Sequence, residues 1–97
     1  MKPSEALALK RDQLGAILAR YPATTNLRVY GSVLHGKDED NEELDLLVDA
    51  LPGASLFDLG GLYLDLEEAL GVPVCLLTPP EVPTKYRSQV LAEARPV

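Results

Sequence analysis

The fold is decided by the stretch from Asn26 to Asp49, NLRVYGSVLHGKDEDNEELDLLVD. A short apolar run with β character ends in Gly31-Ser32. After ten intervening residues, the acidic pair Glu43 and Asp45 opens a second apolar run. If the two strands pair antiparallel, the end of the first lies beside the start of the second. The sequence therefore predicts that Ser32 and two carboxylates converge at one end of a sheet, an arrangement suited to phosphate and metal.

The second apolar run predicts a central strand. Side chains alternate between the two faces of a strand, so its residues divide into two sets. The sets are Glu43, Asp45 and Leu47 on one face, and Leu44, Leu46 and Val48 on the other. Apolar residues on both faces are typical of a strand that is buried on both sides. A charged Asp45 in such a strand is costly without a cation or hydrogen-bond donors, which favours a functional site.

The segment before this stretch predicts a helix. Pro3 and Ser4 open the helical pattern, with Ser4 as the expected cap and Glu5 favourable near the positive helix end. Pro22 ends the helix, and nothing in it looks catalytic. Its apolar stripe is formed by Leu7, Leu14, Ile17, Leu18 and Tyr21.

A second helix is predicted after the second strand. Ser55 followed three residues later by Asp58 is a capping-box pattern, and Gly71 is a typical C-terminal stop. Gly60-Gly61 in the interior costs roughly 1 kcal/mol per glycine relative to alanine. Close approach of the helix to the sheet would explain that cost. The apolar stripe is formed by Leu59, Leu62, Tyr63, Leu66 and Leu70.

A third strand from Pro73 to Leu77 and a final helix around Tyr86 to Ala94 complete the chain. The strand–helix–strand order makes the second and third strands parallel if they are neighbours. Their starts then lie together, which places Cys75 near Glu43 and Asp45. The predicted fold class is α+β, a small mixed β-sheet of three or more strands with helices packed against it.

Composition limits the class of protein. Ninety-seven residues, 46% of them hydrophobic and 25% charged, predict one domain spanning residues 1–97. The net charge of −6 argues against direct nucleic-acid binding, and it suits a basic partner surface or merely keeps the protein soluble. No apolar run approaches the ~20 residues of a membrane span, so no membrane association is expected. The single cysteine excludes an internal disulfide framework and fits the cytoplasm.

The spacing in the deciding stretch is also recognisable. Gly31-Ser32, ten further residues, and an acid–any–acid motif at Glu43 and Asp45 resemble the signature of the DNA polymerase β-like nucleotidyltransferases. By length, the chain is most similar to the minimal nucleotidyltransferase (MNT) proteins, antitoxins partnered with HEPN-domain toxins. The resemblance implies a nucleotidyltransferase fold similar to the polymerase β palm.

The function implied by the resemblance is Mg²⁺-dependent transfer of an adenylyl group from ATP to a protein hydroxyl, as the antitoxin of a HEPN/MNT pair. On this interpretation Gly31 and Ser32 bind the nucleotide, while Glu43 and Asp45 are the catalytic residues and the magnesium ligands. The expected partners are a nucleoside triphosphate and a HEPN-domain toxin. The alternative is a catalytically inactive antitoxin that neutralises its HEPN partner by binding alone.

Two positions depart from the family pattern, in which the pair is normally Asp-x-Asp and a third Asp follows on a later strand. Glu43 stands at the first acid and can still reach a metal, being one methylene longer. Cys75 aligns with the third acid, and a thiol is a poor ligand for magnesium. Catalysis should therefore be weakened more than nucleotide binding. Taken alone, Cys75 is interpreted as a small buried apolar residue.

Other motifs overlap the same stretch. Gly31-x4-Gly36-Lys37 is most of a Walker A loop, but Asp38 follows where Ser or Thr should hold the metal. The acidic loop 38–43 lacks the central glycine of a calcium loop, so a solvated, mobile loop is expected. His35, the sole histidine, could touch a nucleotide phosphate or be incidental.

Overall fold

Three α-helices and four β-strands alternate with two short 3₁₀ turns in the computed structural model, which describes residues 1–97. The strands and helices that the sequence predicts are all present, with bounds that differ by a few residues. The α-helices are α1 (Pro3–Ala19), α2 (Leu56–Leu70) and α3 (Thr84–Glu93), and the strands are β1 (Thr24–Val29), β2 (Leu44–Ala50), β3 (Val74–Leu77) and β4 (Arg95–Pro96). The 3₁₀ turns are Gly31–Val33 and Pro79–Glu81.

The sheet has the order β3-β2-β1-β4. β2 is antiparallel to β1 and parallel to β3, so the mixed sheet and the central place of β2 are both confirmed. The register pairs Val29 with Leu46 and Asp45 with Cys75. β4 was not predicted, because a two-residue strand containing Pro96 carries no periodic signal. It forms where the end of the chain returns to the free edge of β1.

The helices α1 and α2 cover one face of the sheet. Leu44, Leu46 and Val48 of β2 are fully buried beneath them, together with Leu14 of α1 and Leu62 of α2. Each such leucine contributes about 1.5–3 kcal/mol on burial. This packing holds the alternation of β2 in the predicted register, because a slip of one residue would turn Asp45 into the core.

The other face of β2 is covered over part of its length. Leu47 is fully buried, although it is not part of the cluster under α1 and α2. The 3₁₀ turn Pro79–Glu81 contacts β2, and Val82 directly after it is also buried. β2 is therefore buried on both sides, as predicted, and the half-buried Asp45 is an exception in it.

The start of α1 differs from the prediction. Lys2 occupies the N-cap position and Pro3 the first turn, so Ser4 is not the cap. The Ser4 N–H instead donates to the carboxylate of Asp38 at 2.8 Å. The Lys2 N–H donates to Glu5 at 2.9 Å, which confirms the favourable place of Glu5. Asp38 is buried, so the acidic loop is fixed to α1 at this point and is not simply a solvated segment.

α2 begins and ends as predicted, with a reciprocal Ser55–Asp58 capping box and Gly71 in the left-handed conformation at its end. The sequence predicts that the glycines of α2 allow close approach to the sheet, and for Gly61 this prediction was wrong. A Cβ on Gly61 would lie 2.8 Å from the Tyr21 ring, so the close approach is to the end of α1 and not to the sheet. A Cβ on Gly60 would meet nothing within 4 Å.

α3 lies on the surface. None of its residues is buried, and Tyr86 and Leu91 of its predicted apolar side are 51% and 40% exposed. The Arg87 guanidinium holds the start of α3 by donating to the carbonyl groups of Pro80 and Val82 at 2.8 and 3.0 Å. None of the three α-helices combines the length and the apolar character needed to cross a membrane.

Candidate functional site

The turn after β1 brings Gly31 against Asp45. Gly31 has a φ of +80°, which favours glycine, and a Cβ at this position would lie 2.5 Å from Oδ2 of Asp45. The Tyr30 N–H donates to the Asp45 carbonyl at 3.1 Å, which continues the β1–β2 pairing up to the turn. The predicted convergence of the Gly-Ser turn with the start of the second strand is therefore confirmed.

The acidic pair has no counter-charge within the chain. Asp45 is half-buried on β2, and Glu43 is exposed just before the strand begins. Neither carboxylate accepts a hydrogen bond or forms a salt bridge, in contrast to Asp49 on the same strand, which pairs with Arg28. Burial raises the pKa of Asp45, and the negative charges of Glu43 and Glu42 raise it further. The environment thus disfavours the charged form of Asp45 when no cation is bound.

The turn contains hydrogen-bond donors that have no partner within the chain. The N–H groups of Gly31, Ser32 and Val33 donate to no acceptor in the chain, and the Ser32 hydroxyl has no partner. The Ser32 carbonyl, by contrast, accepts from the N–H groups of His35 and Lys37, which closes the turn. Donors beside two carboxylates match a ligand that carries negative oxygens together with a cation.

Cys75 lies where the sequence places it, beside Asp45 in the parallel register of β2 and β3. It is half-buried rather than fully buried, so the interpretation as a plain core residue was wrong. Burial raises the pKa of its thiol, and the charges of Asp45 and Glu43 add to the effect. The thiol is therefore protonated at neutral pH and supplies no negative charge to the site.

Tyr30, the last residue of the apolar run before Gly31-Ser32, is a further residue of this region that was not predicted as part of the site. Burial raises the pKa of its hydroxyl, and the nearby Asp45 and Glu43 carboxylates raise it further. The alternation of β1 could have indicated this position. Leu27 and Val29 are buried, but Tyr30 is not.

Glu43 and Asp45 are suited to bind a divalent cation whose remaining ligands come from water or substrate. Mg²⁺ is commonly held by one or two carboxylates and completes its shell with water and substrate phosphates. Glu43 and Asp45 can provide such a pair, and the raised pKa of Asp45 is the effect that a bound cation would offset. A closed site does not fit, since no cluster of three or more His, Cys, Asp or Glu side chains could hold a metal ion.

The competing motifs are not supported by the fold. No helix follows Gly36-Lys37, because the chain runs through an irregular loop to β2, which confirms the argument against a Walker A loop. His35 lies 3.3 Å from the carboxylate of Glu93.

The largest groove, about 640 Å³, lies between α1 and α2 and contains none of the predicted site residues.

Comparison with known proteins gives consistent relatives, although no protein-family model matches. The chain is 33% identical over 66 residues to a candidate protein adenylyltransferase of Methanocaldococcus jannaschii, covering 68% of this chain and 71% of that protein. A solved candidate minimal nucleotidyltransferase is 36% identical, with a TM-score of 0.82 and coverage of 97% of this chain and 95% of the other. A toxin–antitoxin structure with AMP-PNP shares the fold, at 21% identity, a TM-score of 0.71 and coverage of 88% and 69%.

Proposed function

Because the chain belongs to the minimal nucleotidyltransferases, a family of enzymes, we propose that it transfers an adenylyl group from ATP to a hydroxyl of a HEPN-domain toxin in the cytoplasm. The adenylyltransferase relative supports the reaction. The toxin–antitoxin structure of the same fold supports the partnership, and its AMP-PNP, an analogue of ATP, supports the nucleotide. This chain would then be the antitoxin of the pair.

One observation carries the proposal, namely the direct approach of the Gly31 backbone to the Asp45 carboxylate. The lack of a Cβ at Gly31 lets the Asp45 carboxylate lie directly against the turn, so a phosphate bound by the turn would lie beside that carboxylate. The free N–H groups of the turn and the Ser32 hydroxyl would donate to the phosphate oxygens. Glu43 and Asp45 would hold magnesium, which neutralises charge on the triphosphate and on the departing pyrophosphate.

The reaction needs a new bond from the acceptor oxygen to the α-phosphorus, cleavage of the bond to pyrophosphate, and loss of the hydroxyl proton. Cys75 cannot accept that proton efficiently, because burial keeps its thiol protonated. General-base assistance typically contributes ~10²–10⁴-fold in rate. We therefore expect this protein to bind ATP well and to transfer the adenylyl group slowly.

The first test is titration calorimetry of ATP with and without magnesium. ATP affinity should rise with magnesium, and Asp45→Asn should abolish that gain. Asp12→Asn removes the same charge from an exposed site on α1 and should bind ATP like the natural protein. Equal ATP binding with and without magnesium would remove the assignment of Glu43 and Asp45 as ligands, while the fold would stand.

A second candidate function follows from the missing third carboxylate. With Cys75 beside Asp45, the protein could neutralise its toxin by binding alone. ATP labelled in its adenylyl group distinguishes the two functions when the toxin is present. Transfer of label to the toxin supports the enzyme, whereas a stable complex without label supports the inactive antitoxin.

A further inference from the structure

The outward side of α2 is apolar. We call the set Leu56, Phe57, Gly60 and Leu64 the outer strip, because these residues share one side of the helix at a spacing of about one turn. Leu56 is 86% exposed, Phe57 92% and Leu64 61%. Phe57 is the only phenylalanine of the chain, and the core makes no use of it.

The outer strip is not needed to pack α2 on the sheet. The helix already buries a complete stripe on its other side, formed by Leu62, Leu66 and Leu70. A surface helix normally carries polar residues opposite such a stripe. A single exposed apolar residue is normal on a protein surface, but several large ones side by side indicate a surface that binds another protein.

Gly60 gives a second, independent indication. Gly61 is explained within the fold by its contact with Tyr21, but a Cβ on Gly60 would meet nothing within 4 Å. Glycine in a helix interior lowers its stability relative to alanine, and the fold offers nothing in return at Gly60. With no side chain at Gly60, a partner can approach the helix backbone closely between Leu56 and Leu64.

Charge defines what can cover the outer strip. α2 contains four acidic residues and no basic one, namely Asp58, Asp65, Glu67 and Glu68. Arg20 pairs with Asp65, whereas Asp58, Glu67 and Glu68 have no basic partner. A second copy of the chain docked through the same helix would bring these three charges near their equivalents, which opposes association. A partner whose apolar cleft is bordered by lysine or arginine complements both properties of the helix.

We propose that the outer strip is the docking surface for a protein partner with an apolar cleft and a basic rim. The inference rests on the proposed function, in which this partner is the toxin. Phe57 would enter the cleft as the central anchor, since aromatic residues in a desolvated centre dominate binding energy at interfaces. Leu56 and Leu64 would flank it. The partner would then bind on α2, and the turn at Gly31 and Ser32 would remain free to bind the nucleotide.

The test uses the full chain co-expressed with a HEPN-domain protein of the same organism, with complex formation followed by size exclusion and the Kd measured by calorimetry. Phe57→Gln and Leu64→Gln should each weaken the complex roughly tenfold or more. Leu9→Gln is the matched control, since Leu9 is 64% exposed but lies on α1. Gly60→Ala should also weaken the complex, whereas Gly15→Ala, equally open on α1, should not.

Each outcome decides the proposal. Loss of affinity confined to the outer-strip variants, with no lowering of the unfolding midpoint and unchanged ATP binding, supports it. A wild-type complex that tolerates all three outer-strip variants overturns the docking surface and leaves the toxin partnership intact. Absence of any wild-type complex removes the partnership and the docking surface together. A concentration-dependent dimer of the free chain that Phe57→Gln abolishes would identify a second copy as the occupant and overturn the proposal.

Discussion

At the scale of single residues, Asp45 shows a conflict between stability and function. Its carboxylate is half-buried beside Gly31, near Glu43, and no donor in the chain compensates its charge. A neutral side chain is better suited to such surroundings. Asp45→Asn should therefore lose the magnesium-dependent gain in ATP affinity without losing folding stability, which separates a site residue from a structural one.

Cys75 allows a gain-of-function prediction. Cys75→Asp restores a third carboxylate beside Asp45 and should raise adenylyl transfer to the toxin by at least ~10-fold, a barrier change of about 1.4 kcal/mol. The new carboxylate is half-buried, so the variant should also be less stable without magnesium. Magnesium should raise its melting temperature more than that of the natural protein.

Cys75→Ser is the matched control, because a hydroxyl of similar size adds no negative charge. It should show neither the rate increase nor the magnesium-dependent protection. Transfer of labelled AMP and melting curves with and without magnesium measure both effects. If Cys75→Asp gives no gain and no protection, Cys75 lies outside the catalytic site.

At the scale of elements, the adjacent glycines of α2 should respond oppositely to alanine. Gly60→Ala should stabilise the protein by about 0.5–1 kcal/mol through helix propensity. Gly61→Ala should destabilise it by about 1 kcal/mol. Its Cβ would displace the Tyr21 ring, whose hydroxyl donates to Asp65 at 2.6 Å, and the weakening of this hydrogen bond opposes the gain in helix propensity.

Thermal melts can resolve this difference, since 1 kcal/mol shifts Tm by roughly 4–8 °C in a domain of this size. Tyr21→Phe provides the control, because it removes both the hydrogen bond and one of the atoms that a Cβ on Gly61 would meet. Gly61→Ala should be less harmful in that background. Equal effects at Gly60 and Gly61 would contradict the close contact between Gly61 and the Tyr21 ring.

At the scale of the whole molecule, Asp38 connects the acidic loop to α1. The Ser4 N–H holds the pKa of Asp38 below its ordinary value. Between the folded pKa and the unfolded value of about 3.9, the unfolded chain binds more protons. The contribution of Asp38 to stability is therefore present above pH ~4 and is lost as the pH falls through the folded pKa.

Urea unfolding from pH 7 to pH 2 tests this connection. The midpoint of Asp38→Asn should lie below that of the natural protein at pH 7, and the two should converge in acid. Asp12→Asn, which removes a charge from an exposed site on α1, should show no such convergence. A constant difference between Asp38→Asn and the natural protein at every pH would contradict a charge-dependent contact.

Much of the fold was determined by the sequence alone. Hydrophobic periods of about two and 3.6 residues distinguish strands from helices and assign the faces of β2, because side-chain direction follows from local backbone geometry. The Ser55–Asp58 cap and the stop at Gly71 are also local, since their partners lie within four residues. The spacing from Gly31-Ser32 to the acidic pair, joined to an antiparallel pairing, was sufficient to predict the convergence of the site.

The tertiary structure alone decided the contacts between distant residues. Asp38 is 34 residues from Ser4, and Tyr21 is 40 residues from Gly61, so neither contact has a periodic signal in the sequence. The position of Tyr30 beside Asp45 and the exposure of Phe57 likewise depend on which surfaces the elements cover when they pack. The physical reason is that hydrogen bonding and side-chain alternation act within a few residues, whereas burial depends on the path of the whole chain.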